Sequence, residues 1–401
     1  MCTYSIKINP SHYNMKKILI LVAGESNLPF IQAAKDLGLY VITCDNNPSN
    51  PGHKIADENL IIDVYNHEAI IEAVKDKNID GVMSFVSAHG LNTASMISEH
   101  YHLKGYSQTA LKTLTHKGLF RDFLSRSNLN FPSYQCVDKF DEIILEKLKY
   151  PVIIKPTDKG GSQGVIKINN ESELLLNFQT AKEISGLDKV IIEEFIEGES
   201  LINGDCLIYK GKIIGKMIGN YIYDNDTNKV LPIATVFPAE QSVSEALKEV
   251  SRVIKTLEVP DGVINFEAII RNNKAYIIEI NPRPSGNYIW KLMGYKYCTE
   301  IPTFLINLYF DANDQTNSLE GTNSNSYAYQ LIYSDKNKIF KGFEMPPTLK
   351  DNILDKNIFN KTNEYVNSFE NLHDRIGIIL LEFKDDKQRS FYVNNTELFK
   401  V

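Results

Sequence analysis

The sequence predicts an α/β domain followed by α+β structure, and three observations carry that reading. Residues 17–86 alternate short aliphatic runs with helical patterns, residues 113–310 mix helices with strands that meet in turns, and residues 327–401 hold β-rich runs after a polar gap. The first rhythm implies a parallel sheet, because each strand needs a helical return. The second favours antiparallel pairing. With 401 residues, the chain exceeds what one core usually fills, so two or three domains are expected.

The elements follow in order. Residues 1–14 have neither an apolar period nor the h-region of a signal peptide, so Met15 is expected to begin the folded protein. The runs ILILVA, YVITCD, NLIIDV and IDGVMSFV read as strands, with LPFIQAAKDLG and EAIIEAVKDKN as the helices between them. Pro48, Pro51 and Gly52 break the pattern after the second strand, and Gly105 breaks it before a helix starting near Thr109. These residues make up an N-terminal domain over 15–112. A central domain over 113–312 includes the hairpin VINFEAII and AYIIEI. Residues 313–326 are almost wholly polar and read as a linker. A small C-terminal unit over 327–401 has YAYQLIY, GIILLEF and SFYV as strands.

Composition removes several classes of function. A net charge of -7 without a basic cluster leaves no footprint for nucleic acid or an anionic membrane. No apolar run nears the roughly 20 residues of a membrane span. The five cysteines form no C-x-x-C, which fits reduced thiols and a cytoplasmic location.

Three segments could carry chemistry. In the first, Lys155 ends an aliphatic strand and the loop Gly160, Gly161, Ser162, Gln163, Gly164 follows. Backbone amides of such a loop can wrap phosphate oxygens; the plainer alternative is a glycine hairpin with a surface lysine. It is not a P-loop, since G-x-x-x-x-G-K-[ST] is absent, and the turn at Gly24 lacks the dinucleotide glycines. In the second, a strand leads into Glu193, Glu194, Phe195, Ile196 and Glu199. These could offer an adenine an apolar slot, backbone contacts and a ribose carboxylate, or they form a solvated acidic turn.

The third segment holds Glu267, Glu279, Asn281 and Arg283. Acids inside aliphatic strands are costly unless paired or metal-bound. Magnesium combines one or two carboxylates with substrate phosphates, and the planar fork of Arg283 suits a phosphate or carboxylate. A structural ion-pair cluster is the alternative. For Glu267 to lie directly opposite Glu279, Arg271 must face Ala275. That requires a three-residue turn, Asn272-Asn273-Lys274, or a bulged hairpin, with Asn273 or Lys274 at positive φ. A plain two-residue turn would send the two acids to opposite faces. His89, after the fourth strand, is a candidate substrate contact; His100 and His102 lack a third metal ligand in the local sequence.

With these segments in this order, the chain resembles the ATP-grasp superfamily, in the branch of the carbamoyl-phosphate synthase large chain, biotin carboxylase, phosphoribosylaminoimidazole carboxylase and L-amino acid ligases. The likeness spans nearly the whole chain, from LPFIQAAKDLGLYVITCDNNPSNPGHKIADENLIIDV to Asp374-Arg375-Ile376-Gly377. It implies a Rossmann-like N-terminal domain, a central ATP-grasp domain with antiparallel sheets and a small C-terminal β-rich domain. It makes Lys117 and Lys155 phosphate-contacting lysines, Gly160 to Gly164 the flexible loop, Glu193 to Ile196 the adenine hinge with backbone contacts at Glu194 and Ile196, and Glu199 the ribose acid. Glu267, Glu279 and Asn281 would hold Mg2+, with Mn2+ as a substitute, and Arg283 would steady the transferred phosphoryl group. The implied activity joins a carboxylate to an amine through an acyl phosphate, with small-molecule substrates and, by analogy, a homodimer. A carboxylase or phosphotransferase on the same scaffold, or a non-catalytic nucleotide-binding regulator, are the rival readings. One departure stands out: many relatives carry an Asp-Lys pair where this chain reads Gly219-Asn220-Tyr221, with Lys216 or Lys229 as candidate substitutes.

Overall fold

The structure is a computed structural model that describes residues 16–198, 200–223, 231–240, 243–311, 319 and 324–401. Met15, Glu199, Lys229 and most of the expected 313–326 linker lie outside the described residues.

The N-terminal βα rhythm folds as expected. Strands β1 (Lys17–Leu21), β2 (Tyr40–Cys44), β3 (Glu58–Leu60) and β4 (Gly81–Met83) form a parallel sheet in the order β3-β2-β1-β4. Helices α1 (Leu28–Asp36), α2 (His67–Val74) and α3 (Leu91–His100) return the chain between and after them. Of the NLIIDV run, only Asn59 and Leu60 are strand. Helices α4 (Gln108–Thr115) and α5 (Lys117–Arg126) follow, each started by a side-chain cap: Ser107 accepts from the Ala110 N–H, and His116 accepts from the Leu119 N–H.

A second, antiparallel sheet contains β5 (Tyr134–Val137), β6 (Val152–Pro156), β7 (Ile166–Ile168) and β8 (Val190–Glu194), ordered β5-β8-β6-β7 and backed by α6 (Glu171–Ile184). The third sheet begins with β9 (Ser200–Tyr209), β10 (Lys212–Tyr223), β11 (Pro232–Phe237), β12 (Gly262–Arg271) and β13 (Lys274–Asn281). Helix α7 (Ser244–Thr256) precedes β12, and α8 (Ile289–Tyr297) and α9 (Ile301–Tyr309) follow β13. Helix α9 is buried along its length and locks onto the parallel sheet: the Tyr309 hydroxyl accepts from Val82 N (3.2 Å) and donates to Lys104 O (2.9 Å).

The C-terminal strands differ from expectation in two ways. First, β14 (Ser326–Ile332) pairs with β11, so the later strands extend the central sheet rather than forming a sheet of their own; β15 (Lys338–Ile339) and β17 (Tyr365–Val366) make a separate two-stranded ribbon. With β16 (Ile353–Ile358) and β18 (Gly377–Phe383), the eight-stranded order is β13-β12-β9-β10-β11-β14-β18-β16. Second, SFYV is not a strand but the end of α10 (Asp386–Val393). The Asp385 side chain caps this helix by accepting from Gln388 N, and only Tyr392 is buried, stacked on Phe383. The edge strand is β16 instead, whose polar residues hide it from a reading by hydrophobic period.

Cys44, Cys136 and Cys206 are free thiols. Among the described residues, no helix is long and apolar enough to cross a membrane.

Candidate active site

A cleft of about 1730 Å³ opens where the carboxyl ends of the parallel strands, the β6–β7 glycine loop and the β12–β13 hairpin meet. Helix α5 enters it from one side. Because Lys117 and Arg121 are four residues apart, they share a face of that helix. Arg121 is fully buried, and its Nε donates to Glu193 Oε1 at 2.7 Å. Lys155, at the end of β6, reaches the other oxygen of Glu193 at 2.6 Å. Burial alone would push the Glu193 carboxyl up, but Arg121 and Lys155 together hold it at about 2. Glu193 thus lines the cleft with both of its carboxylate oxygens already paired to Arg121 and Lys155.

The rest of the expected hinge is arranged accordingly. Glu194 directs its carboxylate to Arg271 (3.0 Å), and its backbone N–H donates to Ser133 O (2.9 Å), so that N–H is already engaged. Phe195 and Ile196 line the cleft, with Lys167 Nζ 4.0 Å above the Phe195 ring. Lys117 Nζ donates to Lys159 O and lies 4.0 Å from Glu279.

The β12–β13 hairpin corrects the expected turn. The turn has two residues, Asn272 and Asn273, both at positive φ (52° and 56°), and Arg271 faces Lys274 rather than Ala275. Taken alone, that register would separate the acids. A β-bulge then shifts the register beyond Ala268, so that Glu267 faces Glu279 and Asn265 faces Asn281. The carbonyl of the extra residue, Ile278, accepts from Arg121 Nη2 at 2.8 Å. One buried arginine thus ties β8, through Glu193, to the bulge that aligns the acids.

Glu267, Glu279 and Asn281 all line the cleft. Burial and the neighbouring Glu279 charge push Glu267 up to about 7. Two opposed carboxylates with an amide beside them are a hard oxygen set short of a cation, which suits Mg2+ shared with substrate phosphates. Among the described residues, no group of three or more His, Cys, Asp or Glu gathers as a metal site, so His100 and His102 form none.

Sequence reasoning passed over several residues here. Asp205, fully buried on β9, accepts from Ser285 N (3.2 Å) and Asn265 Nδ2 (3.1 Å); Asn265 in turn accepts from Asn281 Nδ2 at 3.4 Å. An acid within an apolar strand was a legible signal, but its partners were not. Burial lowers the Arg283 guanidinium against the pull of Glu279 and Asp205, and its Nη1 donates to Pro284 O at 2.9 Å. Arg375 also lines the cleft, donating through Nη1 to Leu372 O at 2.6 Å.

The glycine loop holds Gly161, Ser162 and Gly164 at positive φ. It touches the C-terminal turn: Leu372 N donates to Gly161 O (3.3 Å), and Gln163 Nε2 lies 3.0 Å from His373 Nε2. His89 lines the cleft mouth with its ring against the Tyr65 hydroxyl. Lys216 is exposed on the opposite face of β10 from Tyr221 and does not line the cleft, so it does not replace the missing charged pair.

Part of the sequence and the fold are shared with known proteins. A family model described as the ATP-grasp domain matches residues 115–287. The formate-dependent phosphoribosylglycinamide formyltransferase of a Nitratiruptor species is 24% identical over 282 residues, covering 69% of this chain and 71% of that protein. The crystal structure of an L-amino acid ligase from Bacillus licheniformis superposes with a TM-score of 0.79 at 17% identity, covering 95% of this chain and 97% of its own. The biotin carboxylase domain of the Hydrogenobacter thermophilus 2-oxoglutarate carboxylase, solved with MgADP and bicarbonate, gives a TM-score of 0.69 at 16% identity, covering 91% and 86%.

Proposed function

We propose that this chain, whose residues 115–287 match the ATP-grasp domain model, is an ATP- and Mg2+-dependent ligase that activates a small-molecule carboxylate as an acyl phosphate and joins it to an amine in the cytoplasm. The observation that carries this reading is the convergence on one cleft of a lysine pair, a glycine loop and two opposed carboxylates. The formate-dependent relative and the L-amino acid ligase, by their names, each act on a carboxylate substrate.

In this reading Lys117, Lys155 and the amides of Gly160 to Gly164 hold the phosphates, while Phe195 and Ile196 bound the adenine slot. Glu199 is proposed for the ribose. Glu267, Glu279 and Asn281 would hold Mg2+, which supplies charge neutralisation at the phosphates. Phosphoryl transfer to a carboxylate needs no protein nucleophile, so the side chains chiefly position and stabilise charge. Lys155 faces the transferring group with a charge that Glu193 keeps oriented, and Arg283 steadies the oxygens of the acyl phosphate. Closure of the glycine loop excludes water until the amine attacks. His89 is proposed as a substrate contact at the mouth.

The test is a panel of carboxylates, amines and bicarbonate incubated with ATP and Mg2+, following ADP and phosphate and trapping acyl phosphate with hydroxylamine. Turnover that needs both a carboxylate and an amine, with hydroxamate formed when the amine is withheld, is the expected result. Turnover with bicarbonate alone, or none with any pair, overturns it.

A further inference from the structure

Strand β10 is separated from β12 by β9, yet its Tyr221 hydroxyl donates to Glu267 Oε1 at 2.6 Å. The register explains the reach. One rung runs Gly219, Asn203, Glu267, Glu279 across four strands. Tyr221, two residues beyond Gly219, points to the same face, and its long ring lies over β9. Gly219 keeps that face clear: a Cβ there would stand 2.3 Å from Val236 O and 2.7 Å from Phe237. Thr235 and Asn203, from the strands on either side of β10, meet across this gap at 3.0 Å.

We propose that Tyr221 is a positioning residue for metal binding, its phenol fixing Glu267 so that one carboxylate oxygen stays turned toward the cation while the other is held. The inference rests on the metal role given above to Glu267 and Glu279. A carboxylate opposite a like charge swings away unless something holds it, and the bond from Tyr221 supplies that restraint. The donor is neutral. A lysine ammonium in the same place would orient Glu267 equally well but would cancel its charge and so compete with the cation. A phenol orients the carboxylate without adding a positive charge that would oppose Mg2+. Outer-shell partners of this kind typically change metal affinity by 10–100-fold.

Tyr221→Phe removes the one oxygen and keeps the ring. Mn2+ binding to the ADP-loaded protein, followed by the EPR signal of free Mn2+, is expected to weaken about ten-fold or more, while ADP binding without metal is unchanged. In turnover, the Mg2+ concentration for half-maximal rate rises by a similar factor, and excess Mg2+ restores most of kcat. Equal Mn2+ affinity in Tyr221→Phe and the parent protein overturns the proposal. An equal loss of metal-free ADP affinity also overturns it, because the ring would then be shaping the pocket in general. If the parent protein with ADP binds no Mn2+, the metal reading of Glu267 and Glu279 fails, which is a separate result.

Discussion

Glu193 stands between two cations, Arg121 at 2.7 Å and Lys155 at 2.6 Å, with all three side chains nearly inaccessible. Desolvating such charges is tolerable only while each has a partner, so removing the shared one is costly. Glu193→Gln is expected to lose stability on the order of 3–5 kcal/mol, read from urea unfolding at neutral pH. The pH dependence has a definite sign. Because the folded protein holds this carboxyl at about 2, below its ordinary 4.5, its ionised form is favoured by folding. That stabilisation is complete above about 4.5 and is lost as pH falls toward 2. The gap between parent and Glu193→Gln should therefore narrow across that acid window. A constant gap would show that the charge does not matter. At this scale the sequence singled out Lys155 and Glu193 as site residues, but it did not show that they pair with each other and with Arg121.

The β12–β13 hairpin shows what element-level reasoning can and cannot reach. Asn272 and Asn273 at positive φ describe a two-residue type I′ turn, which asparagine tolerates better than most residues. Asn272→Val places a β-branched residue in that conformation and should cost about 1–2 kcal/mol, while Asn273→Gly should be neutral or stabilising. Urea unfolding of the two variants checks this, and an unaffected Asn272→Val would mean that the turn is not left-handed. The parity argument correctly required either a longer turn or a bulge. It could not choose between them, because the bulge is held by Arg121, a residue 157 positions away from the Ile278 carbonyl it caps.

For the whole molecule, the continuous eight-stranded sheet makes the C-terminal quarter part of the central core. Ala234 and Val236 of β11 pack with Ala328, Ile332, Ile379 and Leu381 in one apolar cluster. A chain ending at Asp311 would leave β11 as an open edge with that surface bare. Such a fragment is expected to aggregate; a soluble, cooperatively melting 1–311 fragment would refute the dependence. The same continuity brings Leu372 and His373 onto the glycine loop, so the loop meets a segment some two hundred residues later in the chain.

Read alone, the sequence was enough for the parallel N-terminal sheet, the glycine loop, the acid-bearing hairpin and the family resemblance. Each rests on local period, turn chemistry or a short motif, which act over a few residues. Tertiary structure alone decided that Glu193 belongs to Arg121 and Lys155, that a bulge aligns Glu267 with Glu279, that Tyr221 crosses β9 to reach Glu267, and that SFYV ends a helix. Three of the side-chain bonds in this set join residues 72, 157 and 46 positions apart. Such pairings follow from the order and register of strands in a sheet, and a buried polar group takes whichever partner that order brings within reach.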